Sequence, residues 1–206
     1  MAEGTLEVTA GSGSKLHVNS RTIGANTVLQ QVIQHGEPYL ATYTVTTAAT
    51  SIATANAHLL QIMAGASLPV YLRDLKVYQV AVAGTQAFAT WEIWRLSTAG
   101  TGGTSITPAP VDTADSASGA TAMTLPSAKG TEGTKLWSGT SRLTDTVSTG
   151  GAGLETVLID LPWDRQLRSK GLRIAAGTSN GIALKWIDAS TGATAIVVAT
   201  IVEATF

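Results

Sequence analysis

The stretch that decides the fold is GIALKWIDASTGATAIVVATIVEAT, residues 181–205. It holds two runs rich in strand-forming residues, 181–188 and 194–205, with Ala-Ser-Thr-Gly between them. Such a linker is typical of a turn, so the pattern predicts a hairpin. The second run places apolar residues on both faces, which predicts a central strand covered on both sides. Its large apolar residues are Ile196, Val197, Val198, Ile201 and Val202.

The rest of the chain after residue 38 shows the same strand character, with turn signals between segments. Asn180-Gly181 is a further hairpin signal. Within 70–83 the alternation changes register at Arg73-Asp74, which predicts a β-bulge. Prolines in 107–111 favour an edge strand or an extended crossing, and we expect a long loop at 126–139. The other predicted strands are 39–47, 58–63, 88–96, 122–125, 141–147, 154–161 and 171–176.

These segments predict an all-β fold with about eight or nine strands after residue 38. The simplest arrangement is a jelly-roll-like antiparallel β-sandwich of two packed sheets, over residues 37–206. Residues 1–36 differ, because Gly11-Ser12-Gly13-Ser14 is typical of a flexible linker. Residues 26–33 fit either one face of a short helix or an extended segment. We interpret 1–36 as an extended N-terminal arm or a small subdomain.

Composition excludes several classes of function. Alanine, threonine, glycine and serine make up nearly half of the 206 residues, and cysteine is absent. A disulfide framework and thiolate chemistry are therefore impossible. The net charge of −1 disfavours nucleic acid as a partner. The first residues carry no basic, apolar leader, and no stretch is apolar enough for a membrane helix, so we expect no signal peptide and no membrane association.

The residues that could carry chemistry stand in no recognisable motif. His17, His35 and His58 lack metal-ligand spacing, and Ser12 lies in a linker rather than a nucleophile elbow. Asp112 and Asp115 share a polar loop that is short of calcium ligands. We therefore expect no metal, no cofactor and no small-molecule substrate.

Two segments keep a weaker alternative open. Gly100-Thr101-Gly102-Gly103-Thr104 is glycine-rich but lacks the lysine ending of a phosphate-binding loop. In the segment 160–165, Asp160 and Asp164 flank Trp163, and paired carboxylates near an aromatic ring are found in glycosidases. A structural corner explains the same residues, with the carboxylates pairing to Arg165 or Arg168.

Apolar and aromatic residues outside the predicted core are candidates for contacts with other subunits. Tryptophans lie on both faces of 88–96, which indicates that a core covers one face and a neighbour the other. Trp137, in the predicted loop, is the best candidate for an exposed ring. The predicted interface residues are Val28, Leu29, Val32, Ile33, Trp94 and Trp137.

Several phrases of the sequence resemble one known family. These are GEPYLATY (36–43), IATANAHLLQIMAG (52–65), LSTAGTGGT (96–104), residues 108–124 and IAAGTSNG (174–181). Together, over residues 36–206, they resemble small proteins encoded among the structural genes of tailed bacteriophages. Such proteins are similar to jelly-roll capsid decoration or auxiliary virion proteins.

The resemblance implies a non-enzymatic virion structural protein. It implies a capsid decoration protein that binds the outside of the phage head as a homotrimer and stabilises the shell. The expected partners are the major capsid protein or other virion proteins, and the expected location is the virion. The arm would add a strand to a neighbouring subunit.

Two other functions remain as alternatives. One is a carbohydrate- or receptor-binding module of a phage tail or fibre, in which Trp137 stacks on sugars. The other is a glycosidase that uses Asp160 or Asp164.

Overall fold

A computed structural model describes residues 18–23, 26–31, 40–81, 83–84, 88–143, 156–163 and 171–204. Every element whose bounds are described is a β-strand. In chain order these are β1 (Val18–Ile23), β2 (Asn26–Gln31), β3 (Ala41–Thr46), β4 (Thr50–Ser51), β5 (Ala57–Met63), β6 (Val70–Ala81), β7 (Phe88–Leu96), β8 (Thr104–Ile106), β9 (Ala109–Pro110), β10 (Thr121–Thr124), β11 (Glu132–Arg142), β12 (Thr156–Pro162), β13 (Leu172–Ile174), β14 (Gly181–Trp186) and β15 (Thr194–Glu203).

Two antiparallel sheets form the body of the protein. The six-stranded sheet has the order β11-β7-β14-β5-β10-β8. The seven-stranded sheet has the order β12-β6-β15-β3-β9, with β13 beside β6 and β4 beside β15. Their inner faces pack into one hydrophobic core. The predicted all-β antiparallel sandwich is confirmed.

The eight principal strands are β3, β5, β6, β7, β11, β12, β14 and β15. When these strands are numbered 1 to 8 along the chain, their order is 5-4-7-2 in the six-stranded sheet and 6-3-8-1 in the seven-stranded sheet. This is the order expected when two Greek keys wrap into an eight-stranded jelly roll. The chain therefore crosses between the sheets at most connections instead of returning beside the strand it has left.

This crossing shows that both predicted hairpins are wrong. β13 and β15 belong to the seven-stranded sheet, whereas β14, which lies between them in the chain, belongs to the six-stranded sheet. The turn residues at 180–181 and 189–192 therefore carry the chain across the sandwich. A turn signal marks a reversal of direction, and it does not distinguish a hairpin from a crossing between layers.

The bulge predicted in β6 is confirmed. Asp74 pairs with Thr200 of β15, but Leu72 pairs with Ile201, so Arg73 is the extra residue. Leu72 and Leu75 consequently both point into the core although three positions separate them. The outer partner of β6 also changes here, from β13 to β12.

The predicted loop at 126–139 is wrong in its second half. Residues 132–142 form β11, which pairs with β7 as an edge strand of the six-stranded sheet. The register shifts twice between Glu132 and Trp137. These irregularities interrupt the alternation of side chains that identifies a strand in sequence.

The core centres on two tryptophans from neighbouring strands. Trp91 of β7 and Trp186 of β14 are fully buried, are paired in register, and have ring centroids 4.6 Å apart in an edge-to-face arrangement. The Trp91 indole also donates a hydrogen bond to Ser141 Oγ at 2.8 Å. Facing side chains include Tyr43, Val45, Leu72, Leu75, Val77, Val197, Ala199 and Ile201.

The chain divides into two compact units, Met1–Pro38 and Tyr39–Phe206. In the first, β1 and β2 form an antiparallel hairpin in which Arg21 pairs with Val28. Residues 26–31 are therefore extended, and the helical alternative is wrong for them. In the described residues, no helix is long and apolar enough to cross a membrane.

The tryptophan pair generates a stability prediction. Trp91→Ala is expected to lower the free energy of unfolding by about 3–5 kcal/mol, because it leaves a cavity between the sheets. Phe88→Ala, in the same strand at a side chain that is 59% exposed, is expected to cost less than about 1 kcal/mol. Urea denaturation followed by tryptophan fluorescence and circular dichroism measures both, and equal losses would contradict the assignment of the core.

Candidate functional site

The outer face of the six-stranded sheet carries a row of charged and polar side chains. His58 of β5, Lys185 of β14 and Glu92 of β7 are neighbours in register across three strands. A bulge in β5 at Leu59 helps to place both His58 and Gln61 on this face. His58 and Gln61 are each only 1% exposed. This sheet therefore buries polar groups on the side away from the core.

Glu132, at the start of β11, links His58 and Lys185 of this row by hydrogen bonds to both. Its carboxylate accepts hydrogen bonds from His58 Nε2 at 2.8 Å and from Lys185 Nζ at 3.0 Å. Lys129 Nζ lies 3.8 Å from the same carboxylate. Burial acts to raise the pKa of Glu132, but the hydrogen bonds from Lys185 and His58 outweigh it, so the pKa is lowered. Glu132 is therefore ionised at neutral pH and neutralises the buried lysine.

Trp94, a predicted interface residue, belongs to the same face. Its indole donates a hydrogen bond to Glu92 Oε2 at 2.7 Å. The Nζ atoms of Lys135 and Lys185 lie 5.6 Å and 5.3 Å from its ring centroid, within the range of a cation–π contact. Lys135 also pairs with Glu92 at 2.8 Å. Side chains of the same chain thus surround the ring and half-bury it.

Two loops cover part of this face. The Gly100 amide donates a hydrogen bond to Gln61 Oε1 at 2.8 Å. Thr101 and Ala128 exchange backbone hydrogen bonds, which joins the loop after β7 to the loop before β11. Below them a small apolar cluster of Met63, Leu96 and Ala183 is buried. The face is therefore covered around β5 by the chain itself.

A cavity of about 310 Å³ lies beside these loops. Its lining carries no charged side chain among the residues that the structure describes there; it includes Gln61, Met63, Gly100, Ile106, Pro108 and Met123. The glycine-rich segment 100–104 borders it at Gly100 and lacks the lysine that a phosphate-binding loop requires. The lining is neutral, with hydroxyls such as those of Ser105 and Thr107 among apolar side chains.

Trp137, the other predicted interface tryptophan, lies in β11 rather than in a loop. It pairs in register with Ile93, so it stands on the core side of the sheet, opposite to Trp94. Its ring packs across Gly139, where any Cβ would come within 2.4 Å of the ring. The half-buried ring lines a cavity of about 160 Å³ between β11 and β12. The two tryptophans therefore do not form one surface.

The apolar residues predicted for the arm divide into two groups. Val28 and Leu29 lie in β2. Val32 and Ile33 lie outside the described residues. Their role as contacts with other subunits remains a prediction.

The other sequence candidates do not come together. His17, His35, Ser12 and Asp164 lie outside the described residues. Asp160 is exposed in β12 opposite Lys76, and Trp163 is buried in the core.

The Asp112 carboxylate accepts a hydrogen bond from the Ala114 amide, so it stabilises a turn. The described residues contain no group of three or more His, Asp or Glu side chains that could hold a metal ion.

Glu203 is a buried carboxylate that the sequence does not single out. It accepts hydrogen bonds from Ser118 Oγ and from the amides of Gly119 and Ala120, at 2.5–3.0 Å. Nearby, the Tyr43 hydroxyl donates to Ser116 O, and burial raises the pKa of Tyr43. These contacts hold the loop before β10 against the end of β15. Glu203 is thus occupied as a structural anchor.

The outer face of the seven-stranded sheet is built differently. Its outward positions are mostly small hydroxyl and aliphatic side chains: Thr42, Thr44 and Thr46 in β3, and Ile196, Val198 and Thr200 in β15. Tyr78, flanked in register by Val157 and Ile196, continues this surface onto β6 and β12. Charged residues at outward positions include Asp74, Lys76, Asp160 and Arg173, two of each sign, and Arg73 of the bulge lies on the same side as Asp74. This surface is called the β6–β15 face below.

Sequence reasoning missed the network around Glu132. One signal was available, since Lys185 interrupts the otherwise apolar run of β14 and a buried lysine requires a partner. The sequence did not identify that partner, because Glu132 is 53 residues from Lys185 and lies in a segment with irregular register. Comparison of the chain with protein-family models, curated proteins and solved structures found no match.

The Glu132 network generates the second prediction. Glu132→Gln is expected to lower the free energy of unfolding by about 1–3 kcal/mol at neutral pH, because Lys185 Nζ loses the buried carboxylate that accepts its hydrogen bond. Lys135→Met, which removes a more exposed ion pair to Glu92, is expected to cost no more than about 1 kcal/mol. Urea denaturation compares the two variants. A larger loss for Lys135→Met would show that Glu132 does not organise this face.

Proposed function

We propose that the chain is a non-enzymatic virion structural protein, most simply a capsid decoration protein that binds the outside of a phage head as a homotrimer. Its partners would be the major capsid protein or other virion proteins. The resemblance of residues 36–206 to proteins encoded among phage structural genes supports this role. The sandwich architecture is compatible with it.

The observation that carries the proposal is the difference between the two outer faces. Loops and ion pairs of the same chain cover much of the six-stranded sheet. The β6–β15 face has half-buried and exposed aliphatic side chains, of which Val157 is 51% exposed. Its acidic and basic residues are mixed, and Lys76 Nζ lies 3.3 Å from Asp74 Oδ2, so burying the face against another protein would leave few charges without a partner. Such a face is suited to binding a broad protein surface.

The energetics of binding would come mainly from burial of apolar area. Each Å² of apolar surface removed from water contributes about 25 cal/mol before the costs of association. A sheet face offers threonine and valine side chains with few rotatable bonds, so ordering them on binding costs little. The contact would strengthen a shell by adding buried area between subunits that touch weakly.

The contacts of the titratable side chains support a non-enzymatic role. His58 and Lys185 both donate to Glu132, and Glu203 accepts hydrogen bonds from a hydroxyl and two amides. A general acid or base must be free to reach a substrate. The carbohydrate-binding alternative needs an open aromatic platform, whereas Trp94 and Trp137 are both half-buried by their own chain.

Mass spectrometry of purified phage particles from the strain that carries the gene tests the proposal. The chain is expected in density-gradient-banded particles at a copy number comparable to that of the major capsid protein. The purified protein is expected to have the mass of three 21.1-kDa chains by light scattering. Absence from banded particles would contradict a virion role, and a copy number in the range of a tail-tip protein would contradict decoration of the head.

A charge introduced into the β6–β15 face is expected to prevent attachment. Val198→Asp places a carboxylate in the middle of this face, and co-sedimentation of the purified variant with particles lacking the gene is expected to be lost. Leu136→Asp makes the same change at an exposed position of β11 and is expected to bind normally. Thermal melting confirms that both variants fold. Normal binding of folded Val198→Asp would exclude this face.

Removal of the first unit, Met1–Pro38, is expected to leave folding of the sandwich intact and to abolish assembly. A chain that begins at Tyr39 retains all strands of both sheets, so it is expected to keep its cooperative thermal transition. An isolated two-stranded hairpin is only marginally stable, which indicates that β1 and β2 require a further surface. Trimer formation or particle binding is expected to be lost. A truncated chain that does both normally would show that the hairpin has no role in assembly.

A further inference from the structure

The hydrogen bonds around His58 form a connected series. In this series, the donor at one end determines which atom of each following group donates and which accepts. The Gly100 amide can only donate, so Gln61 Oε1 accepts at 2.8 Å. Gln61 therefore directs its NH2 group at His58 Nδ1, 2.6 Å away. Nδ1 must then accept, which leaves the proton of neutral His58 on Nε2, where it donates to Glu132 at 2.8 Å.

We propose that this series of hydrogen bonds is a pH-sensitive latch that holds the loop 97–103 on the six-stranded sheet. Protonation of His58 places a hydrogen on Nδ1, facing the NH2 group of Gln61. Two donors cannot bond to each other, so Gln61 must withdraw or rotate its amide. Rotation would turn the NH2 group toward the Gly100 amide and break that bond instead. Either response removes a tie between the loop and β5.

Because the latch is buried, protonation of His58 cannot easily be accommodated without the movement of the Gln61 amide. The His58 side chain is inaccessible to solvent, so water cannot replace the lost partner at Nδ1. Gly100 is tightly packed on one side, since a Cβ there would lie within 3 Å of Pro126, Ala128 and Gln61. This packing leaves the loop little room to shift toward those residues and restore the bond. Gln61 and Gly100 also form part of the wall of the 310 Å³ cavity, so release of the loop would open it.

The charges around His58 come from three elements. Glu132 of β11 faces Nε2, Lys185 of β14 is its neighbour in register, and Lys129 approaches from the loop before β11. Beyond Lys185, Glu92 of β7 completes the row. Burial lowers the pKa of His58 more than the bond to Glu132 raises it. The folded protein thus resists protonation, and its stability falls as the pH drops below the usual value of 6.5.

Hydrogen exchange with mass spectrometry of the full chain tests the latch. Protection of the amides in 97–103, corrected for the intrinsic exchange rate at each pH, is expected to fall roughly tenfold between about pH 7.5 and about pH 5. His58→Gln retains one donor and one acceptor but takes up no proton, so its protection is expected to stay constant. Amides of β15 serve as the internal reference. An equal fall in His58→Gln, or no fall in the natural chain, would overturn the proposal.

A titration of the natural chain tests the same point without a variant. By NMR, the His58 ring and the Gly100 amide proton are expected to shift with the same midpoint. Different midpoints would show that the two groups are not coupled and would overturn the latch. His17 and His35 provide comparison rings in the same spectrum.

Discussion

The packing of Trp91 against Trp186 between the two sheets is the interaction on which the rest of the structure depends. The two rings come from adjacent strands of the six-stranded sheet and are fully buried. Their position determines which side of β7 and β14 faces the core. Because side chains alternate along a strand, Trp94, Glu92 and Lys185 must then stand on the outer face. The polar network and the latch are consequences of that alternation.

Much of the sandwich was predictable from local pattern, because strand alternation is a local signal. β7 has the predicted bounds, and the bulge at Arg73 follows from a visible change in register. The errors arose where information is non-local. The turn signals at 180–181 and 189–192 did not show that β14 joins the opposite sheet, and the irregular register of β11 concealed a strand. Glu132, the partner of His58 at Nε2, is 74 residues away in the sequence, so the burial and bonding of His58 could not be predicted.

The two outer faces of the sandwich differ in how far other residues of the same chain cover them. The six-stranded sheet is covered in part by loops that Gln61 and the Thr101–Ala128 pair hold in place. On the β6–β15 face, Tyr71 and Val202 are buried at one end with Ala204 and Leu40, and the other outward threonines and aliphatic side chains are half-buried or exposed. The small, weakly charged composition of the chain is thereby accounted for in part, since it supplies a face suited to another protein.

Hydroxyl-radical footprinting of the protein, free and bound to phage particles, tests most directly whether the β6–β15 face is the contact surface. Oxidation of Tyr78 and Val157 is expected to decrease on binding, because both side chains stand on that face. Oxidation of Leu125 and Leu136, which lie in or next to strands of the other sheet, is expected to remain unchanged. Protection of Leu125 and Leu136 with Tyr78 and Val157 still reactive would contradict the account.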